Sequence, residues 1–372
     1  VSIVLYFFEK INLEYFRNFK KFSISFSSKC NVIIGPNGTG KTNLLESISL
    51  FDKGRGFRRD SLKNMINNEN KNNTFLINSK FNILEDDLDL ILSCGLIENK
   101  FKKKLLINGN NSNDSKNYFE KLYSIIWFIP EMERLFLGSP LLRRNFFDRL
   151  IYGIDKSYLK LLNNYKKKIF ERNNILKQEN YDANWINQVE NEIVNYGLKI
   201  YAIRAKHIAI LNSEIKSLSA INKHFHSFEL KIDDDFLINQ GTTKVDFQSK
   251  YLLKLKNLRK YDVIVGGCKI GPHKSDFQGF HLRNNLSLSF CSTGEQKAII
   301  LLIIIAQSKY LINKLNRQPI VLLDEVCSHL DEYNREILLE LIYSLDVQTF
   351  VTGTEKNFFS FLSKKANYYY IK

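Results

Sequence analysis

The sequence predicts an α/β fold, a nucleotide-binding core of mixed sheet with an antiparallel β subdomain, and a helical lobe inserted into it. Three observations carry this expectation. An apolar run, Asn31-Val32-Ile33-Ile34, breaks into Gly35-Pro36-Asn37-Gly38-Thr39-Gly40-Lys41-Thr42 and then a helical pattern. A second apolar run, Pro319 to Leu323, ends in Asp324-Glu325. Between them lies a long stretch with helical periodicity. The 372 residues exceed what one compact core normally holds, so a main domain with a large insertion is expected.

The Gly35–Thr42 stretch meets every fixed position of G-x-x-x-x-G-K-[ST]. Glycines at 35 and 40 let backbone N–H groups close on phosphate oxygens without a Cβ in the way. Lys41 is placed to reach the β/γ-phosphates and Thr42 to offer its hydroxyl to Mg²⁺, while the helix that follows points its positive end at the same anion. Asp324 has the position of the carboxylate that orders the Mg²⁺ shell, and Glu325 that of the group polarising the attacking water. The expected ligands are ATP and Mg²⁺.

The remaining elements follow in chain order. Residues 3–27 carry β-rich runs broken near Arg17-Asn18, which predicts an antiparallel pair. Arg17 reads equally as a turn residue in water or as a neighbour of the nucleotide. The Lys53–Arg59 turn holds three arginines, a pattern most often solvated. Residues 64–80 are Asn-rich and polar, and 81–107 alternate as short strands. After an apolar strand at 125–129, the pattern is helical to about 220. Tyr158, Leu162, Tyr165 and Ile169 form one stripe, and Ile186, Val189, Ile193, Tyr196, Ile200 and Ile203 another. Lys160, Lys166, Lys167, Lys168 and Arg172 are expected on or beside the opposite, solvated face of the first helix. His224 and His226 read as surface residues rather than a metal pair, and residues 228–262 are ambiguous. Gly271-Pro272-His273-Lys274-Ser275-Asp276 is a polar cluster on a turn. Ser292-Thr293-Gly294-Glu295 opens a helix whose body, Ala298 to Leu311, is almost wholly apolar and must be buried. The expected division is 1–140 with 228–372 as the ATPase domain and 141–227 as the helical lobe.

Fifty-four Lys+Arg against 39 Asp+Glu leave a net charge of +15, a field that attracts polyanions. Five scattered cysteines with no C-x-x-C pair read as free thiols in a reducing compartment. The apolar opening reads as a strand rather than a leader, and the longest apolar run, Ala298 to Ala306, is about half of what crosses a bilayer. A cytoplasmic protein with no membrane partner is expected.

Ser292-Thr293-Gly294-Glu295 resembles the signature of ABC ATPases, and Ser328-His329-Leu330-Asp331 resembles their D-loop. Within that superfamily the chain resembles the RecF family. Its motifs stand in family order from Phe16 to Thr352: F-R-N-F, G-P-N-G-T-G-K-T, G-R-x-x-R, R-R-N-F-F-D at 143–148, G-P-H-K-S-D at 271–276 and S-x-G-x-x-K. It departs from the signature at Thr293 and Cys291, and Val351-Thr352-Gly353-Thr354 stands where transporter ATPases carry a switch histidine.

The resemblance implies an ABC-type head that binds ATP through residues 35–42, Arg17 and Arg58, with Arg55 also near. Ser292 and Gly294 would reach the nucleotide of a second copy in an ATP-dependent homodimer. It implies DNA repair, recombination, replication and the SOS response, at gapped, single-stranded or junction DNA, with RecR and RecO and indirectly RecA. Hydrolysis would be weak and act as a switch. Arg143, Arg144 and Lys166–Lys168 are candidate DNA contacts. The rival reading is the ATPase subunit of a membrane transporter.

Overall fold

The computed structural model describes residues 6–83, 86–221, 227–238, 244–362 and 365–372. The chain divides into two compact units, Val1–Arg134 with Ser292–Lys372, and Leu135–Cys291.

The first unit opens with β1 (Tyr6–Phe16), β2 (Phe19–Ser25), β3 (Cys30–Ile34) and α1 (Lys41–Ser49), then β4 (Phe75–Ile83), β5 (Asp86–Ile97), β6 (Lys100–Ile107), α2 (Asn113–Leu122) and β7 (Ser124–Phe128). β4 begins inside the Asn-rich stretch and pairs with β1 and β5, so the expected short strands are long ones. Strands β2-β1-β4-β5-β6 form an antiparallel sheet. On β1, Phe8, Ile11, Leu13 and Phe16 are buried, and a register shift between Phe8 and Lys10 returns the apolar side chains to the core face.

The second unit follows as α3 (Pro140–Ile154), α4 (Tyr158–Leu176), α5 (Ala183–Ile221), β8 (Phe228–Asp233), α6 (Asp235–Ile238), α7 (Lys244–Asn257), α8 (Arg259–Ile264) and β9 (Asp276–His281). Its core gathers Tyr158, Leu162 and Tyr165 of α4 with Ile186, Val189, Ile193 and Ile200 of α5 and Tyr251 of α7. Ile169, Tyr196 and Ile203 of the expected stripes are partly buried against it. The sequence pattern places the return to the ATPase domain at 228, whereas this unit runs to Cys291. The reason is local pairing: β8 and β9 form their own antiparallel ladder, Phe228 opposite His281 through Asp233 opposite Asp276. His224 and His226 lie outside the described residues.

The chain re-enters the first unit with α9 (Thr293–Leu315), β10 (Pro319–Leu323), α10 (Glu332–Tyr343), β11 (Thr349–Gly353) and β12 (Asn367–Tyr370). Strands β12-β3-β11-β10-β7 make a parallel sheet. All five residues of each of β3, β7, β10 and β11 are buried, which is why none of these segments shows the polar–apolar alternation of a half-exposed strand. Gln348 ties the two sheets: its side chain accepts from the Phe8 N–H at 2.8 Å and donates to the Phe8 carbonyl at 2.9 Å. α9 is long and apolar enough to cross a membrane, but 67% of its most apolar window is buried within the protein. Each fully buried Ile or Leu there contributes about 1.5–3 kcal/mol, so the helix is held as core.

Candidate nucleotide site

β3, β10 and β11 are parallel neighbours, so their carboxyl ends share one edge, where open α/β sheets bind ligands. The loop from Gly35 to Gly40 leaves β3 at that edge. Gly38 and Gly40 have φ of 86° and 103°, a region that favours glycine. A Cβ on Gly40 would come within 2.6 Å of Asn18 Nδ2 and Phe19 Cζ, and one on Gly35 would collide with the Ile371 carbonyl. Asn18 braces the loop by donating to the Thr39 carbonyl at 3.1 Å and accepting from Asn43 Nδ2 at 2.8 Å. Sequence reasoning missed this role, although Asn18 sits in the F-R-N-F motif.

Lys41 is buried at the start of α1 and, among the described residues, donates only to the loop's own carbonyls, Gly35 at 2.7 Å and Pro36 at 2.8 Å. Burial lowers its pKa, opposed by the charges of Glu325 and Asp324. Thr42 Oγ1 donates to Asp324 Oδ1 at 3.1 Å, and Thr352 Oγ1 donates to the same oxygen at 2.7 Å. Burial raises the Asp324 pKa and the two hydroxyls pull it back. Thr352, at the end of β11, also accepts the Glu325 N–H at 2.9 Å. Glu325 is held at φ 47°, a left-handed conformation that costs a non-glycine residue on the order of 1–3 kcal/mol.

A cleft of about 160 Å³ brings together Asn37, Gly38, Gly40, Lys41, Thr42, Asn43, Arg58 and Glu325. Pro36 and Thr39 complete the loop, joined by the Thr39 hydroxyl donating to the Pro36 carbonyl at 3.0 Å. Arg58 Nη1 donates to Asn43 Oδ1 at 2.7 Å, which aims it at the cleft. Neither Arg17 nor Arg55 is in the lining, and Arg55 is exposed. The Arg17 guanidinium forks onto Glu46 with two bonds of 2.8 Å and reaches Asp60 at 2.9 Å. The Glu46 side chain is fully buried on α1, so it demands a counter-charge, and Arg17 is consumed there.

The cleft suits a polyphosphate: a flexible cation hydrogen-bonded only to carbonyls faces N–H groups at a helix start. Among the described residues no cluster of three or more His, Cys, Asp or Glu could hold a metal alone. The adjacent Thr42 hydroxyl and Asp324 carboxylate instead suit an ion such as Mg²⁺ that takes its remaining ligands from phosphate and water.

Ser292 and Gly294 are absent from the cleft lining. Ser292 caps α9 in a capping box, its Oγ accepting the Glu295 N–H at 3.3 Å while the Glu295 carboxylate accepts the Ser292 N–H at 2.8 Å. A Cβ on Gly294 would sit 2.6 Å from the His329 carbonyl, so glycine permits this helix start to lie against the D-loop. Beneath it the fully buried Lys297 ammonium donates to Glu133 Oε1 and the Glu325 carbonyl at 2.8 Å each, and to the Ser328 carbonyl at 2.7 Å. Burial lowers its pKa and Glu133 opposes that. Lys297 thus ties signature helix, Asp324-Glu325 strand end and D-loop together. The available signal was a lysine at the start of an otherwise apolar helix, which must find partners.

In the second unit the two motifs interlock. Arg143 is buried and forks onto Asp276 with two bonds of 2.7 Å, Arg144 donates to the Ser275 carbonyl at 2.7 Å, and Arg204 forks onto Asp148 at 2.8 and 2.9 Å. His273 is held between the Tyr165 hydroxyl at 2.7 Å and the Cys268 carbonyl at 3.0 Å. Burial pushes its pKa down to about 4. Arg143 therefore cannot serve DNA. Lys168, expected free on a solvated face, is paired with Glu171 at 3.0 Å and Glu192 at 2.9 Å. Arg172, expected beside it, is wholly buried between Glu190 and Asp262.

Parallel sheet, P-loop, strand-end carboxylates and a capped signature helix define an ATPase head of the ABC type. Residues 7–370 match the family described as RecF/RecN/SMC N terminal domain. A "DNA replication and repair protein RecF" of Rickettsia bellii is 34% identical over 354 residues, 94% of each chain. The fold is similar to the "Structure of the recombination mediator protein RecF-ATP in RecFOR pathway", at TM-score 0.81 and 24% identity over 95% of this chain and 94% of that one. It is also similar to an Smc head bound to the C-winged helix domain of ScpA, at TM-score 0.54 and 18% identity over 95% and 91%. The chain belongs to the RecF family.

Proposed function

We propose that this chain is an ATP-controlled, DNA-binding protein of recombinational repair, working in the cytoplasm. Lys41, Thr42, the loop amides and Arg58 would bind the phosphates of ATP, and Asp324 with Thr42 would position Mg²⁺. Mg²⁺ would screen the phosphate charge. Glu325, held in a strained conformation beside the cleft, would take the proton of the attacking water. Turnover would be slow, a switch rather than a metabolic reaction.

One observation carries the dimer in this reading. The chain has both a phosphate cleft and a signature helix start, but Ser292 and Gly294 do not line that chain's own cleft. A second copy, turned head to tail, would bring its Ser292 and Gly294 to the nucleotide and close two equivalent sites. ATP would then favour the dimer and hydrolysis would release it. The +15 charge and the RecF relatives support DNA as the substrate surface. By kinship the target would be gapped, single-stranded or junction DNA, with RecR and RecO as partners, RecA loading as the outcome, and replication restart and the SOS response as the setting.

The test is solution mass by light scattering with ATP, ADP or no nucleotide, each with and without gapped DNA. ATP should double the mass of the wild type. Ser292→Arg should retain ATP binding and stay monomeric, and a normal ATP-dependent dimer of that variant would refute the head-to-tail arrangement.

A further inference from the structure

The second unit contains a cationic cavity that its own carboxylates do not neutralise. The cavity, about 70 Å³, is lined on its polar side by Arg144, Asn145, Asp148, Lys166, Arg204 and the Pro272-His273 turn, and otherwise by Leu141, Leu162 and Tyr165. That is room for a few water molecules, and hence for one oxyanion head but not for a base or a sugar. Asp148 is the single acid in the lining, and it is spent: it takes both arms of Arg204 and the Tyr158 hydroxyl at 2.7 Å. Asp276, the next acid, is spent on Arg143.

Two cations remain. Arg144 is half-buried, forms no ion pair among the described residues and donates one bond, to the Ser275 carbonyl. Its pKa is lowered, first by burial and then by Arg204 and Arg143, with Asp276 and Asp148 offsetting this only in part. Lys166 is exposed at the rim, also with no ion pair among the described residues, in contrast to Lys168 two positions on. Lys274 adds its charge to the field at His273, as do Arg144 and Arg204. A half-buried guanidinium with spare donors, held beside two other arginines, is costly unless an anion completes it.

We propose that Arg144 and Lys166 form a phosphate-binding pocket on the second unit that grips one phosphodiester of the DNA backbone. Arg144 supplies the fork, Lys166 the mobile charge at the rim, and Asn145 a neutral donor. The Arg143–Asp276 and Arg204–Asp148 pairs hold Arg144 in place rather than touching DNA. This rests on the DNA-binding reading above and assigns it a site.

The experiment measures duplex DNA binding by fluorescence anisotropy over a range of chloride concentrations, with ATP present. It compares wild type, Arg144→Gln/Lys166→Gln and Lys160→Gln/Lys167→Gln, which removes two lysines of the same helix outside the cavity. Loss of this one phosphate contact should make the log–log salt slope shallower by about 1 and weaken binding roughly tenfold near 0.1 M salt. The Lys160/Lys167 variant should change the slope by less than half as much, and Arg144→Lys/Lys166→Arg, which retains both charges and guards against a folding defect, should recover most of the wild-type slope. An unchanged slope in Arg144→Gln/Lys166→Gln overturns the pocket while leaving the DNA-binding reading intact. A wild type that binds no DNA overturns both. A parallel arm follows the thermal shift produced by inorganic phosphate at constant ionic strength. Loss of that shift in the double variant with no change in the DNA slope would mean that the pocket takes free phosphate, and the phosphodiester assignment would fall.

Discussion

Two buried cations, Lys41 of the first unit and Arg172 of the second, are held in opposite ways. In the first, the Lys41 ammonium rests on the carbonyls of its own loop, contacts that a phosphate can replace one for one. In the second, Arg172 is enclosed by Glu190 at 2.9 Å, Asp262 at 2.6 Å and the Leu255 carbonyl at 2.8 Å, and Arg204 is closed in by Asp148 and Tyr158. A charge held by neutral dipoles is poised for exchange, whereas one held by carboxylates is fixed in place. The same residue types can therefore stand exchangeable beside a cleft, as Lys41 does, or fixed in a frame, as Arg172 does and as Arg17 and Lys297 do within the first unit.

The sharpest way to break that contrast is to remove a framed cation. Arg172→Met leaves Glu190 with Arg259 alone and Asp262 with no ion-pair partner among the described residues, and should cost about 3–5 kcal/mol of second-unit stability. Urea or thermal unfolding followed by a probe in that unit measures it, and a loss under about 1 kcal/mol would show that water screens the cluster. Acid should act next most strongly. The His273 imidazole is neutral in the fold, with its pKa pushed from 6.5 down to about 4 by burial and by the facing Lys274, Arg144 and Arg204. The unfolded chain takes the proton first as pH falls, so stability is full above pH 6.5 and declines toward pH 4, by up to about 3 kcal/mol. His273→Gln should flatten that step in a pH series of unfolding curves.

This contrast also explains what the sequence could show. Phosphate binding is local chemistry: Gly35, Gly40, Lys41 and Thr42 must be consecutive with a strand and a helix, so the first unit's cleft is legible in the linear sequence. Asp324 is equally legible because a fully buried strand reads as an unbroken apolar run. The frame of the second unit is not. Arg172 lies 90 positions from Asp262 in the chain, and beside lysines it looks like part of a solvated face. Arg17 illustrates the same limit within the first unit, since only the fold discloses that Glu46 points inward and claims it. The pairing of β8 with β9 was hidden for a related reason: the two strands lie far apart in the chain.

On the exchangeable side, Lys41→Ala should leave folding nearly unchanged, because its partners are carbonyls that water can serve. ATP affinity should fall by roughly thirtyfold, about 2 kcal/mol for a charged hydrogen-bond donor. Titration of a fluorescent ATP analogue checks this. A stability loss comparable to that of Arg172→Met would erase the distinction between the two kinds of charge.

The finest test concerns Glu295, which belongs to both categories. Its carboxylate closes the capping box on Ser292, accepting from the Ser292 N–H and Oγ at 2.8 Å each, so it stabilises the start of α9. In a head-to-tail dimer that same carboxylate would approach the other copy's terminal phosphate, and like charges there oppose closure. Glutamine can serve the same capping box, so Glu295→Gln should keep first-unit stability within a few tenths of a kcal/mol while removing the repulsion. The ATP-dependent dimer should then tighten by a few-fold, read as the midpoint of a dilution series by light scattering, with the gain shrinking as salt screens the charge. A large drop in unfolding temperature would place Glu295 in the frame instead. Equal dimer midpoints for variant and wild type at low salt would mean that the carboxylate lies beyond reach of the partner's nucleotide, and that only the cap explains its position.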